Sequence, residues 1–204
     1  ANDLIRLEVL DNGKPLREAQ IDLRQVVDAF RYYAGWTTKL QGDTIPVPGN
    51  VLNYTLREPV GVVGAIIPWN FPLLMAAWKL GPAIAGGNTV VFKVASDTAW
   101  SGAMLMQAFR DAGLPEGVLN YVTGPGGVVG DALVNDPRIA GVTFTGSYEV
   151  GMGIVRSFAL GAWPRPCITE MGGKNAAIVS RHADLERAAT GIVLGIFGSG
   201  GSII

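Results

Sequence analysis

Few side chains in this chain are equipped for chemistry. There is one cysteine, Cys167, and one histidine, His182. A histidine triad or a histidine-cluster zinc site is therefore not expected, and no metal is assigned. His182, in "SRHADLERA", reads as an exposed helix entry. Cys167 lies in a strand-like "PCIT" segment, where a buried inert thiol is the plain reading. What remains is a set of polar residues at the ends of apolar runs. Asn70 interrupts "IIPWNFPLLMAAW" between Trp69 and Phe71, framed by Pro68 and Pro72. Lys93 closes "NTVVFK", and taken alone it reads as a solvated lysine at the sheet edge. Glu170 precedes Met171-Gly172-Gly173. A carboxylate in such a loop serves as a general base if its neighbours raise its pKa, and otherwise is a surface charge.

Glycine loops add a second kind of candidate. "TGPGGVVG" sets Gly124, Gly126 and Gly130 in a G-x-G-x-x-x-G pattern, one residue off the usual dinucleotide fingerprint. "GSYEVGMG" carries Gly146 and Gly151 but no following Lys-Ser/Thr, so it is not a phosphate-binding P-loop. Either loop alone also reads as a plain turn. Ser147 stands at an expected helix N-terminus, where free N–H groups favour an anion. That position allows a pyrophosphate without requiring one.

The elements that must hold these residues follow from the pattern. The first forty residues read as helix, and residues 15–36 place Leu16, Ala19, Leu23, Val26, Val27 and Phe30 near one face. Pro46, Pro48 and Gly49 then break the helix, and residues 51–56 carry β-type side chains, which predicts a small hairpin. From Val60 onward, strand-length apolar runs alternate with helical segments: "VGVVGAII", "NTVVFKV", "VLNYVTG" and "IAGVTFTG" are each followed by a helix. Asp97 or Thr98 is the expected cap of the second of these helices, and Gly113 its stop. The alternation predicts an α/β fold with a Rossmann-like parallel sheet and helices on both faces. Ligands in such a sheet bind at the carboxyl ends of the strands, where Asn70, Lys93, Ser147 and Glu170 fall.

Composition excludes several function classes. With 49% hydrophobic residues the chain can bury a sizeable core. A net charge of −1 gives no electrostatic footprint for nucleic acid. The uncharged stretch from residue 59 to 78 approaches a bilayer span, but Pro59, Pro68, Asn70 and Pro72 interrupt it, so a strand, turn and helix start are expected and no membrane. A lone cysteine permits no internal disulfide and suits a reducing, cytoplasmic setting. No secretory signal is expected in "ANDLIRLEVLDNGK".

Taken in order, the motifs resemble the NAD(P)-dependent aldehyde dehydrogenase family. "LEVLDNGKP", "YYAGW", residues 44–93 almost continuously, "GLPEGVLNYVTG", "VTFTGSYEVG" and "ITEMGGKN" follow one another at that family's spacing. The resemblance implies oxidation of a small aldehyde to a carboxylic acid through a cysteine thioester, with NAD and also NADP as cofactor. Asn70 would donate to the oxyanion and Glu170 would activate the hydrolytic water. Lys93 would bind the adenosine ribose. Gly126, Gly130, Ser147 and Val150 would wall the adenine and pyrophosphate, and Ile66, Ile67 and Trp69 would line the strand-end cleft. Ser96 stands where many NAD-specific members carry a glutamate, so a 2′-phosphate would meet less repulsion. The implied organisation is a helical part of the cofactor domain (1–41), an oligomerisation hairpin (42–58), the NAD(P)-binding core (59–169) and the beginning of a catalytic domain (170–204). The intact family member would be a homo-oligomer.

The sequence departs from the family where the nucleophile is expected. Phe197, Gly198, Ser199, Gly200 and Gly201 fit the start of an F-x-x-x-G-Q-x-C motif, but Ser202, Ile203 and Ile204 replace its end. An isoleucine cannot attack a carbonyl, and Cys167 precedes Glu170 in the strand leading to it. The chain also reads as truncated at both ends relative to the family. These residues alone are therefore expected to show no aldehyde-dependent NADH formation. The alternative expectation is a non-catalytic nucleotide-binding or subunit-interaction fragment.

Overall fold

A computed structural model describes residues 2–198. At its centre is a parallel sheet of β1 (Val62–Ile66), β2 (Thr89–Lys93), β3 (Leu119–Val122), β4 (Ile139–Gly146) and β5 (Cys167–Met171), in the order β3-β2-β1-β4-β5. The helices are α1 (Asn2–Asn12), α2 (Leu16–Ala34), α3 (Pro72–Ala85), α4 (Ala99–Asp111), α5 (Asp131–Asn135), α6 (Tyr148–Ala159) and α7 (Leu185–Phe197). This is the expected α/β architecture. Alternation along β1 explains the two layers. Ala65 and Ile67 enter one core with Phe92, Leu73 and Leu80, under α2, α3 and α4. Ile66 enters the other with Val142, Phe144 and Ile154, under α5 and α6.

Several local expectations change. The amino-terminal helix is two helices, because Gly13 adopts φ +75° and Pro15 cannot continue α1. Ala19, Leu23 and Val26 are buried and Phe30 partly so, but Leu16 and Val27 are exposed, since the buried stripe is narrower than the apolar one. The hairpin forms a single bridge, Thr44 to Tyr54, and no strands. Its backbone bonds, Ile45 N to Asn53 O at 2.9 Å and Thr55 N to Asp43 O at 2.8 Å, hold two exposed arms that bury nothing of their own. Thr98 holds the N-cap position of α4, as expected, but its side chain makes no capping bond; a 3₁₀ turn over 96–98 leads into the helix.

Beneath the helices lies an ion cluster. Glu8, Lys14 and Asp22 are 0%, 2% and 4% exposed. Lys14 Nζ lies 3.4 Å from Glu8 Oε1, donates a short hydrogen bond to Asp22, and stands 4.1 Å from the centroid of the Phe71 ring. Burying charges costs several kcal/mol per ion unless they are paired, and here one cation serves two carboxylates. Among the described residues Glu8 Oε2 has no partner at hydrogen-bond geometry, although the Leu73 N–H bears on the carboxylate. Burial pushes the Glu8 carboxyl above its ordinary range, against the opposing charge of Lys14.

Candidate cofactor and active site

The strand order reverses at β1, which pairs with β2 on one side and β4 on the other. At such a switch point the connections leave in opposite directions and a crevice opens beyond the carboxyl ends. Register brings the candidate residues to one level there: Ile66 pairs with Lys93 and with Phe144, and Gly146 with Met171. The crevice is a cleft of about 1190 Å³. Ile66, Ile67, Trp69 and Asn70 line it from the β1 end, and Lys93 and Ser96 from the β2 end. Gly126 and Gly130 line it before α5, and Ser147 and Val150 at the start of α6. All nine residues expected to touch a cofactor share this cleft, together with Asn70.

Each wall has a local cause. Ile67 N–H donates to the Lys93 carbonyl at 3.1 Å, so β1 ends pinned to β2 before the turn at Pro68. Pro72 is the first residue of α3, where a missing N–H costs nothing and a fixed φ suits the helix. Between them, Asn70 Oδ1 accepts the Phe71 N–H at 3.1 Å, which sets the amide with its oxygen toward the backbone. Gly124 adopts φ +142°, and a Cβ there would meet Val129 at 2.5 Å, so this turn needs glycine. A Cβ on Gly126 would meet no atom within 4 Å, so the loop offers bare backbone to the cleft. Ser147 caps α6 by accepting from Val150 N–H at 3.3 Å, leaving the positive end of a helix at the cleft wall.

Lys93 is not the solvated lysine it resembles in isolation. β2 lies inside the sheet, Lys93 is 5% exposed, and Nζ donates to the Val94 carbonyl at 2.9 Å. Burial draws its ammonium below the usual lysine range. Glu170 is likewise not in a loop but on β5, and it does not line the cleft. Successive strand residues face opposite ways, so Met171 lines the cleft while Glu170 turns to the α3 side. There Glu170 Oε2 accepts from Lys79 Nζ at 2.8 Å and from Thr145 Oγ1 at 2.5 Å. Burial raises its carboxyl, but the two hydrogen bonds and the Lys79 charge outweigh that and hold it below the ordinary range. Lys79, absent from the residues singled out in the sequence, is the buried partner of Glu170. Its signal was present: it is the only charge on an apolar helix, it is buried, and a buried ammonium must find a partner.

Cys167 lies three residues before Glu170 at the start of β5, outside the cleft lining, with burial raising its thiol pKa. His182 is exposed before α7. Among the described residues no group of three or more His, Cys, Asp or Glu could hold a metal ion. No helix among them is long and apolar enough to cross a membrane. Residues 202–204, where the sequence departs from Gln-x-Cys, lie outside the described residues.

The family model described as "Aldehyde dehydrogenase family" matches residues 1–203. The chain belongs to the aldehyde dehydrogenase family. Its relatives include the putative aldehyde dehydrogenase DhaS of Bacillus subtilis, 45% identical over 98% of this chain and 40% of that protein. Among solved structures, PnpE in complex with nicotinamide adenine dinucleotide superposes with a TM-score of 0.92 at 38% identity, covering 98% of this chain and 41% of PnpE. The NAD+ complex of aldehyde dehydrogenase from Bacillus cereus gives 0.90 at 46% identity, covering 98% of this chain and 41% of that one. The chain thus spans about two fifths of the length of the aldehyde dehydrogenases it matches. The Rossmann-like sheet expected from the alternating pattern is the fold these members share with it.

Proposed function

We propose that the protein is an NAD-dependent aldehyde oxidoreductase and that residues 2–198 supply its cofactor cleft and two groups of its reaction centre. The observation that carries this reading is the convergence of Asn70, Lys93, Gly126 and the α6 N-terminus on one cleft at the switch point of the sheet. The residues present fit a dinucleotide. A buried lysine meets ribose hydroxyls, bare glycine backbone and a helix end accept the pyrophosphate, and Ile66 and Ile67 floor an apolar slot. The dinucleotide, when bound, accepts hydride from the substrate. Asn70 acts as a donor to the developing oxyanion, a contribution of roughly 2.7–4 kcal/mol for a preorganised group. Glu170 activates the water that hydrolyses the thioester. Ionised and held by Lys79 it is charged but weakly basic, so it gains basicity on leaving that contact. Ser96 admits NADP as well. The exposed arms over residues 42–58 pair with a second subunit of a cytoplasmic homo-oligomer, and the catalytic domain begins after β5.

One observation favours a second reading for these 204 residues taken alone: Ser202, Ile203 and Ile204 stand where the family has Gln-x-Cys. In that case they bind NAD without turnover. Calorimetric titration with NAD, followed by NADH absorbance with a panel of small aldehydes, separates the two. Saturable binding with aldehyde-dependent absorbance that falls about 100-fold or more in Asn70→Ala supports the enzyme. Binding with no absorbance supports the second reading. No NAD binding overturns both.

A further inference from the structure

We propose that Asn12 is a positioning residue for the Asn70 turn, held in place by the buried cluster of Glu8, Lys14 and Asp22. The proposal rests on Asn70 acting as the oxyanion donor. Asn12 Nδ2 donates to the carbonyls of Trp69, at 3.3 Å, and of Asn70 itself, at 3.1 Å. Its Oδ1 accepts the Lys14 N–H at 3.0 Å. The oxygen is thus committed to a donor, and the amide nitrogen donates to two successive carbonyls of the turn. Those carbonyls belong to a bend between β1 and α3 and have no strand or helix ladder to join. A hydrogen bond on each carbonyl holds its peptide plane, and rotation of those planes would swing the Asn70 side chain.

Two features aim Asn12 at the turn. Gly13, at φ +75°, folds the chain back after α1, so Asn12 and Lys14 both face residues 69–71. Lys14, anchored by Glu8 and Asp22, places its ammonium over the Phe71 ring, a desolvated cation–π contact on the residue after Asn70. The turn is therefore fixed on its backbone by Asn12 and on its side chain by Lys14. The same three buried charges fix Asn12 through the Lys14 backbone.

The test uses the protein expressed from its complete source gene, with Asn12→Asp and Asn12→Ala. Asn12→Asp keeps the shape and the acceptor but has no donors, and Asn12→Ala serves if the carboxylate prevents folding. The expected result is a kcat for aldehyde oxidation lowered about 10–100-fold, as for a misplaced catalytic group, with KM for NAD within about threefold. Adding Asn12→Asp to Asn70→Ala should lower kcat no further. A wild-type kcat in Asn12→Asp, or losses that multiply with those of Asn70→Ala, would overturn the proposal. Hydrogen exchange of a peptide covering residues 66–75 decides the matter even if the unaltered protein binds NAD and oxidises no aldehyde, the outcome that instead defeats the enzymatic reading. Exchange there should quicken in the variants while that of residues 88–94 does not change, and equal exchange at both places refutes the role of Asn12.

Discussion

Replacing Lys14 by Met tests whether the buried cluster is held together by its one cation. Methionine fills the volume of the lysine stem, so little packing is lost, but Glu8 and Asp22 are left buried with no counter-charge. Removing one partner of a buried ion pair costs about 3–5 kcal/mol. At about 2–4 °C per kcal/mol for a domain of this size, the thermal midpoint should fall by about 6–20 °C at pH 8. The loss should also depend on pH. The Glu8 carboxyl is already above its ordinary value of 4.5, and Lys14 is a charge that restrains it. Without Lys14 it climbs further. An acid whose folded pKa is raised gives up stability as pH rises through that pKa and keeps it below the unfolded value. The deficit of Lys14→Met should therefore be full at pH 8 and shrink as pH falls toward 4.5. Circular dichroism melts across that range provide the measurement. A deficit under about 1 kcal/mol at pH 8, or one that does not change with pH, would refute the cluster as an electrostatic unit.

The remaining expectations concern the site. Lys93→Met should weaken NAD about 10–100-fold in a calorimetric titration, the loss of charge-assisted hydrogen bonds to the ribose. Ser96→Glu should raise the Kd for NADP about tenfold or more while leaving that for NAD near its starting value, because a carboxylate repels only the 2′-phosphate. Glu170→Gln keeps an acceptor for Lys79 but loses the charge. Since the Glu170 carboxyl is held below 4.5, the advantage of the unaltered protein should be present above that pH and vanish as pH falls through the lowered pKa. With Glu170 half exposed, screening keeps that advantage to about 1 kcal/mol or less, read from paired melts at pH 7 and pH 3.

The sheet is legible in the sequence because β1, β3 and β4 fall in short apolar runs stopped by proline or glycine and β2 in one closed by Lys93, and the cleft is legible because such sheets bind at their carboxyl ends. Lys93 was misread in isolation because a single terminal lysine carries no mark of strand order, and only the flanking of β2 by β1 and β3 buries it. The glycines after Glu170 look like a turn and suggest a loop, whereas its register with Thr145 extends β5 through Met171. The hairpin was over-read: β-type residues at 51–56 announce extended chain, but pairing needs a surface to pack on, and those side chains are exposed. The cluster of Glu8, Lys14 and Asp22 fits no helical or strand period, because Gly13 and Pro15 interrupt the chain between its members. A lysine beside a helix break carries no sign in sequence that it will be buried.

Helix α3 begins two residues after Asn70 and carries Lys79 about two turns along. The helix is therefore a ruler between the two groups of the proposed reaction centre. Each residue of an α-helix advances about 1.5 Å and turns about 100°. Losing one residue between Leu73 and Trp78 would leave the core almost as apolar as before, yet rotate Lys79 by more than a quarter turn from Glu170. The phase of α3, more than the identity of most of its side chains, decides whether Lys79 meets Glu170. Substitutions along the helix can be absorbed by repacking, but a change in its length cannot.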